Sequence, residues 1–133
     1  MSDPFVIDTA RVRRSFGRSA DAYDAAAVLQ AKVREELLGR LDLVRLEPAA
    51  VLDLGAGTGH AALALKRRYP ASRVVALDLA EGMLKLARRR QTLLRRFARV
   101  CADATALPLR DASVDMVFSN LMLQWCNDPD RVL

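Results

Sequence analysis

The sequence predicts an α/β fold with a doubly wound, mostly parallel sheet, and three observations support this prediction. Short apolar runs alternate with longer amphipathic stretches along the 133 residues, which is the pattern of parallel strands joined by helices. The apolar run that ends at Leu54 leads into a turn with glycine at positions 55, 57 and 59. The next apolar run ends at Asp78, about 20 residues after those glycines. This arrangement is typical of the nucleotide-binding half of an open α/β sheet.

The first 47 residues are predicted to form a helical cap before the sheet. Residues 1–20 are polar and rich in arginine, and we expect one short helix in them. Residues 21–45 carry apolar side chains at the period of an amphipathic helix. Those side chains are Val28, Leu29, Val33, Leu37, Leu38 and Leu41. Pro48 ends this segment, so we divide the chain into a cap, 1–47, and a sheet domain, 48–133.

The sheet domain is predicted to contain alternating strands and helices. We expect strands at 50–54, 73–78, 98–101 and 114–119, and helices at 58–68 and 81–96. Such alternation implies parallel strands joined by right-handed crossovers. Pro129 has the position of a helix start, and few residues follow it. We therefore expect the chain to be the N-terminal part of a longer protein, with about four strands of a larger sheet.

Composition and charge argue against several classes of function. Hydrophobic residues make up 52% of the chain, but no apolar run approaches the length of a membrane span, and no signal peptide is evident. A cytoplasmic location is therefore expected. The single histidine and two widely spaced cysteines, Cys101 and Cys126, predict no metal site. The net charge is +5, but aromatic residues make up only 5%, which does not favour nucleic-acid binding.

The glycine-rich turn separates two cofactor classes. The dinucleotide pattern G-x-G-x-x-G would need glycine where His60 stands. The pattern present is D-x-G-x-G-x-G, which resembles the first motif of class I S-adenosylmethionine-dependent methyltransferases and implies their Rossmann-like fold. The resemblance implies that the turn takes the methionine part of the cofactor and that Asp53 attracts its ammonium group. The predicted contacts in this turn are Asp53, Gly55, Ala56, Gly57 and Gly59. The alternative is a glycine turn that serves packing alone.

The resemblance implies further cofactor contacts after the second and third strands. Asp78 would accept hydrogen bonds from both ribose hydroxyls, with Leu79 beside it; capping the next helix is its alternative role, and the two roles are compatible. Met83 would lie along the adenine, or it is an ordinary core residue. Asp103 would take the adenine amino group and the Ala104 amide a ring nitrogen, unless this segment is only a surface turn.

Residues after the fourth strand are predicted to lie where the methyl group faces its acceptor. Asn120 and Leu121 are assigned to the cofactor, and Gln124 and Trp125 to the acceptor pocket. For Trp125, simple packing is an equal alternative.

Three longer segments resemble the malonyl-acyl carrier protein O-methyltransferases of biotin synthesis. They are residues 16–30, 103–115 and 119–126, and the resemblance extends from about residue 11 to the last residue. It implies that the N-terminal helix folds over the cofactor and brings Tyr23 and Gln30 near it; in the alternative, this helix only covers the sheet. The groups that hold the malonyl carboxylate are expected largely beyond position 133, so the acceptor stays open.

The implied reaction needs no general base, because a malonyl carboxylate is already ionised at neutral pH. No catalytic residue is therefore predicted, and His60 is expected to be a first-turn helix residue. Basic residues crowd the stretch around the helix at 81–96, either as a solvated face or as a docking surface for an acidic acyl carrier protein. They are Lys85, Arg88, Arg89, Arg90, Arg95, Arg96 and Arg99.

Three alternative functions stay open from the sequence. The first is a methyltransferase for another small acceptor, and the second is a methyltransferase-like assembly protein without turnover. The third is a dinucleotide oxidoreductase, which His60 disfavours.

Overall fold

The computed structural model describes residues 28–120, residue 122 and residues 128–133. It contains one parallel sheet of four strands with helices around it. The strands are β1 (Ala50–Leu54), β2 (Arg73–Asp78), β3 (Ala98–Cys101) and β4 (Met116–Ser119). The helices are α1 (Val28–Arg40), α2 (His60–Arg68), α3 (Glu81–Arg90) and α4 (Pro129–Val132), with a short 3-10 turn at Leu41–Leu43. The predicted bounds of β1, β2 and β3 are confirmed.

The strand order β3-β2-β1-β4 confirms the α/β fold with a doubly wound parallel sheet. The chain builds outward from β1 through β2 to β3 and then returns to the other side of β1 with β4. Both neighbours run parallel to β1 and place Leu77 and Ser119 opposite Leu54. The carboxyl ends of the strands therefore meet at one edge, and the order reverses between β1 and β4. Ligands of open α/β sheets bind at such a reversal.

The two central strands are buried on both faces, which explains their continuous apolar sequences. One cluster lies between the sheet and the helices, and it includes Val51, Leu65 and Phe97. A second cluster lies on the opposite face, where Leu52 and Leu77 pack with partly buried side chains of the later loops. This core holds the carboxyl ends of β1 and β2 in place.

Three elements are shorter than predicted, each for a local reason. α2 begins at His60 instead of position 58 because Gly59 has a φ of 87°, outside the helical region. α3 ends at Arg90 instead of position 96, and the Thr92 hydroxyl then accepts a hydrogen bond from the Arg95 amide in a tight turn. β4 begins two residues late because the Asp115 carboxylate accepts hydrogen bonds from the amides of Ala49 and Ala50 instead.

The amphipathic helix predicted within 21–45 is α1, and residues 21–27 lie outside the described residues. Leu37, Leu38 and Leu41 pack against the core as predicted, whereas Val28 and Leu29 at the start of α1 are exposed. The division into a cap and a sheet domain stays a prediction. The helix predicted to start at Pro129 is present, and the Asp128 side chain caps it. Within the described part of the chain, every helix is too short or too polar to cross a membrane.

Candidate functional site

The glycine-rich turn between β1 and α2 lies at the carboxyl edge of the sheet. Its start is held by β2, because the amides of Gly55 and Ala56 both donate to the Leu77 carbonyl, at 2.8 and 2.9 Å. Gly55, Gly57 and Gly59 all have positive φ, a backbone conformation that L side chains rarely adopt. The predicted turn residues are thus brought together in one loop.

Gly57 and Gly59 are required for different reasons. A Cβ at Gly59 would lie 2.8 Å from the Ala87 Cβ and 3.3 Å from the Phe97 ring, so Gly59 lets α3 pack closely against the turn. A Cβ at Gly57 would meet no atom within 4 Å. Packing therefore explains Gly59 but does not explain Gly57, whose open side is where a ligand can approach the backbone. The positive φ of Gly57 accounts for a glycine there without a ligand, so the alternative in which the turn serves packing alone stays open.

Asp78 connects the end of β2 to this turn. Its Oδ2 accepts the Gly57 amide and its Oδ1 accepts the Ala80 amide, both at 2.8 Å. Ala80, not Asp78, is the N-cap residue of α3, so the predicted capping role takes the form of a hydrogen bond two residues along. Burial raises the pKa of Asp78, and hydrogen bonds from the Ala80, Gly57 and Leu79 amides oppose that shift. Each carboxylate oxygen has a second lone pair for a ligand hydroxyl.

Asp53 is the most unusual group of the site. The residue is only 2% exposed, and its Oδ2 is buried without a hydrogen-bond partner. Burial, and secondarily the Asp78 carboxylate, raise its pKa to about 7 against the opposing effects of Arg34 and the Ala62 amide. A buried acceptor without a partner is costly. A cationic ligand group would supply the missing partner.

Asn120 brings β4 and α1 together at the same edge. Its Nδ2 donates to the Gln30 carbonyl at 3.2 Å, while its Oδ1 is buried without a hydrogen-bond partner. Gln30 therefore lies at the site, as predicted, although through its backbone carbonyl. Its contact with a cofactor, as opposed to a covering role for the helix, stays a prediction.

The predicted contact residues that follow β2 and β3 are half-buried or buried. Asp103 is half-buried, and its Oδ1 accepts hydrogen bonds from the amide and the hydroxyl of Thr105, at 2.9 and 2.8 Å. Ala104 is half-buried as well and packs on the second core cluster. Met83 is 1% exposed and packs with Ala80, which favours its alternative role as a core residue. Leu79 is half-buried and its carbonyl accepts the Cys101 thiol at 3.4 Å.

Four predicted site residues lie outside the described residues: Tyr23, Leu121, Gln124 and Trp125. His60 is the first residue of α2, as predicted. Within the described residues, no three His, Cys, Asp or Glu side chains lie close enough together to hold a metal ion.

Two arginines at the site were missed by the sequence reasoning. Arg34 on α1 acts electrostatically on Asp53. Arg90 on α3 donates from Nε to the Thr58 carbonyl at 2.7 Å. Neither residue belongs to a local motif, since each reaches the turn from a separate helix. Only the packing of the helices against the sheet brings them there.

Comparison with known proteins agrees with this geometry. Residues 52–133 match the family described as the methyltransferase domain. The fold and the glycine turn thus define a class, and the chain belongs to this methyltransferase family. A methyltransferase solved in complex with the Trm112 methyltransferase activator of Haloferax volcanii superimposes with a TM-score of 0.76 and 28% identity; the match covers 91% of this chain and 52% of that one.

Curated proteins that resemble this chain in sequence include malonyl-[acyl-carrier protein] O-methyltransferases. That of Methylovorus sp. (strain MP688) is 56% identical, covering 98% of this chain and 46% of the relative. That of Laribacter hongkongensis (strain HLHK9) is 51% identical, covering 100% of this chain and 48% of the relative. This chain spans about half the length of the curated relatives it matches.

Proposed function

We propose that this chain is the S-adenosylmethionine-binding part of an O-methyltransferase that methylates the free carboxylate of a malonyl thioester on acyl carrier protein, early in biotin synthesis. The observation that carries the cofactor proposal is the buried, unpartnered Oδ2 of Asp53, and the open space at Gly57 supports it. The named relatives support the acceptor. A cytoplasmic location stays a prediction from the sequence.

The residues present fit this cofactor. Asp53 offers a buried acceptor to the ammonium of the methionine part, and the space at Gly57 is open to a ligand. Asp78 has free lone pairs for the ribose hydroxyls, and Asp103 is held by Thr105 for the adenine amino group. Asn120 adds a second unpartnered acceptor, its Oδ1. The contacts proposed for Met83 require a rearrangement of its present packing, so we rank them lowest.

The chain's own residues act by binding and orientation. The bound cofactor would supply an electrophilic methyl group, and the acceptor carboxylate is ionised at neutral pH without a base. Asp53 would hold the methionine part of the cofactor and Asp78 its ribose. Holding both parts would orient the cofactor in the site. The rate enhancement then comes from alignment of the two reactants and from exclusion of water. This assignment needs no catalytic acid or base, and His60 has no role in it.

Calorimetric titration tests the cofactor proposal. S-adenosylhomocysteine should bind the chain, whereas NAD should not. Asp53→Asn should abolish measurable binding, because the amide cannot neutralise the ammonium group. Asp111→Asn, a change of the same kind on an exposed loop residue, should bind as the wild type does. Binding of NAD alone, or equal binding by the two variants, would contradict the proposal.

Methyl transfer tests the acceptor, and it requires the longer protein because this chain spans about half of its relatives. Labelled S-adenosylmethionine should methylate malonyl-carrier protein but not acetyl-carrier protein, which lacks the free carboxylate. Transfer to neither, in a protein that binds S-adenosylhomocysteine, would favour the assembly-protein alternative. Transfer to another small acid and not to the malonyl thioester would favour the other-acceptor alternative.

The carrier protein itself is proposed to dock on the basic residues around α3. In the structure, two of these basic residues, Arg90 and Arg95, are half-buried, and the other five are exposed. The exposed ones are Lys85, Arg88, Arg89, Arg96 and Arg99. In sequence they flank an exposed apolar pair in the turn after α3, Leu93 (84% exposed) and Leu94 (83%). An acidic partner with an apolar centre would complement this surface.

Charge reversal tests this docking surface. In the longer protein, Arg89→Glu with Arg96→Glu should raise KM for malonyl-carrier protein and remove its dependence on salt, with kcat little changed. Arg67→Glu, an exposed reversal on α2, is the matched control. An unchanged KM in the double variant would contradict docking at this surface.

A further inference from the structure

The second half of the glycine turn contacts α3. β2 holds the first half through the Leu77 carbonyl and the Asp78 carboxylate, which accept the amides of Gly55, Ala56 and Gly57. Beyond Gly57, two contacts with the last turns of α3 take over. The Arg90 Nε donates to the Thr58 carbonyl at 2.7 Å, and Ala87 lies against Gly59.

The hydrogen bond from Arg90 fixes the direction of one peptide group. Thr58 is buried, so its carbonyl has little access to water. A cationic donor to a carbonyl makes a charge-assisted hydrogen bond, which is stronger than a neutral one. The peptide that carries this carbonyl joins Thr58 to Gly59, and Gly59 in turn donates to the Ala56 carbonyl at 3.2 Å. A rotation of that peptide would therefore disturb the backbone on both sides of Gly57.

We infer that Arg90 is a positioning residue for cofactor binding: from α3 it holds the Thr58–Gly59 peptide, and so shapes the turn that receives the methionine part of the cofactor. Arg90 touches no reacting atom in this assignment. The inference rests on the proposed function, since it assigns the methionine part to this turn. It also gives α3 a second role. This helix follows Asp78, the proposed ribose ligand, and through Arg90 it would also shape the turn proposed to receive the methionine part.

Two ligands separate this role from general stabilisation. S-adenosylhomocysteine carries the amino-acid part, whereas 5′-methylthioadenosine has the same nucleoside without it. Arg90→Gln should raise the Kd for S-adenosylhomocysteine by about tenfold, which corresponds to the loss of one charged hydrogen bond. The Kd for 5′-methylthioadenosine should stay within about twofold. Arg90→Lys, which keeps the charge and a donor, should restore part of the loss.

Arg67→Gln is the matched control, because it removes an exposed arginine from the last turn of the neighbouring helix α2 and has no assigned binding role. It should leave both dissociation constants unchanged. Equal weakening of both ligands by Arg90→Gln, or no weakening of either, would overturn the inference. If Arg90→Gln does not fold, the same two-ligand comparison on Arg90→Lys decides the question.

Failure of the proposed function would be visible separately, as absence of binding of either ligand to the wild-type chain. Hydrogen exchange then tests the hold on the turn directly. The Gly59 amide should exchange faster in Arg90→Gln than in Arg67→Gln. Equal exchange in the two variants would show that Arg90 does not hold the turn and would overturn the inference without reference to a ligand.

Discussion

The backbone amide of Gly57 donates to the carboxylate of Asp78 across 2.8 Å, which ties the turn after β1 to the end of β2. The other oxygen of the same carboxylate accepts the Ala80 amide. One acidic side chain thus orients the glycine turn and the start of α3 at once. The position predicted to hold the ribose also shapes the neighbouring glycine turn.

Asp78→Asn should weaken S-adenosylhomocysteine binding by at least about tenfold. An amide side chain has only one acceptor oxygen, so either Gly57 or Ala80 would face an NH2 group. The ribose hydroxyls would also lose a charged acceptor. Calorimetry measures the change, with Asp111→Asn as the control. Affinity within twofold of the wild type, in a folded variant, would argue against ribose binding at Asp78.

The pKa of Asp53 predicts a pH-dependent affinity. Burial raises it to about 7, and only the ionised carboxylate attracts an ammonium group. Binding of S-adenosylhomocysteine should therefore strengthen as the pH rises from about 5.5 to about 7.5, by up to about tenfold per pH unit below the pKa. Titrations across this range measure the effect, and Asp53→Gln, if it retains weak binding, should show a flat profile in the same range. A wild-type affinity that falls with rising pH would contradict the assignment of Asp53.

The same shift predicts that Asp53 lowers the stability of the ligand-free chain. The pKa is about 7 in the folded state against 3.8 for an aspartate in water, so the folded state binds the proton more tightly. The wild type should lose stability as the pH rises from about 4 to about 7. Above pH 7 the destabilisation by the ionised Asp53 carboxylate is complete. Asp53→Asn should therefore be more stable than the wild type near pH 8, by roughly 2 to 4 kcal/mol.

Urea denaturation at two pH values checks that expectation. The difference in unfolding free energy between Asp53→Asn and the wild type should largely disappear near pH 4. There the Asp53 carboxyl is protonated in the folded state and about half protonated in the unfolded state. Asp111→Asn should show no such dependence. A variant less stable than the wild type at pH 8 would mean that Asp53 has a partner that compensates its burial.

The strands were predictable from the sequence because burial on both faces leaves a simple signal. β1 and β2 are continuous apolar runs, and each ends at the residue that the sequence indicated, Leu54 and Asp78. Helix ends were less predictable. The arginine-rich stretch after Arg90 is compatible with a helix by composition, but Phe97 must reach the core before β3, and the turn at Thr92 achieves this.

The site was predictable only where its residues follow strands. Asp53, Asp78 and Asn120 all come at strand ends, and the parallel sheet brings such positions to one edge. Arg34 and Arg90 could not be identified, because a helix surface gives no indication of which arginine will face a turn distant in sequence. The bond between Asn120 and the Gln30 carbonyl likewise depends on how α1 crosses the sheet.

Alanine at two glycines should separate folding from binding. Gly59→Ala places a Cβ 2.8 Å from Ala87 at a φ of 87°, so it should lower the unfolding free energy by about 2 kcal/mol or more. Gly57→Ala has only the positive φ to oppose it, which costs roughly 1–2 kcal/mol. Its new methyl group points into the open side of the turn, however, and should block the ligand.

Denaturation and calorimetry on the same two variants check this separation. Gly57→Ala should be the more stable of the two and yet show the larger loss of S-adenosylhomocysteine affinity below its melting range. Gly39→Ala is the control. A Cβ at Gly39, near the end of α1, also meets no atom within 4 Å, and Gly39 is not part of the glycine turn. If Gly57→Ala binds as well as Gly39→Ala, the open space at Gly57 is not occupied by ligand, and the methionine part must bind elsewhere.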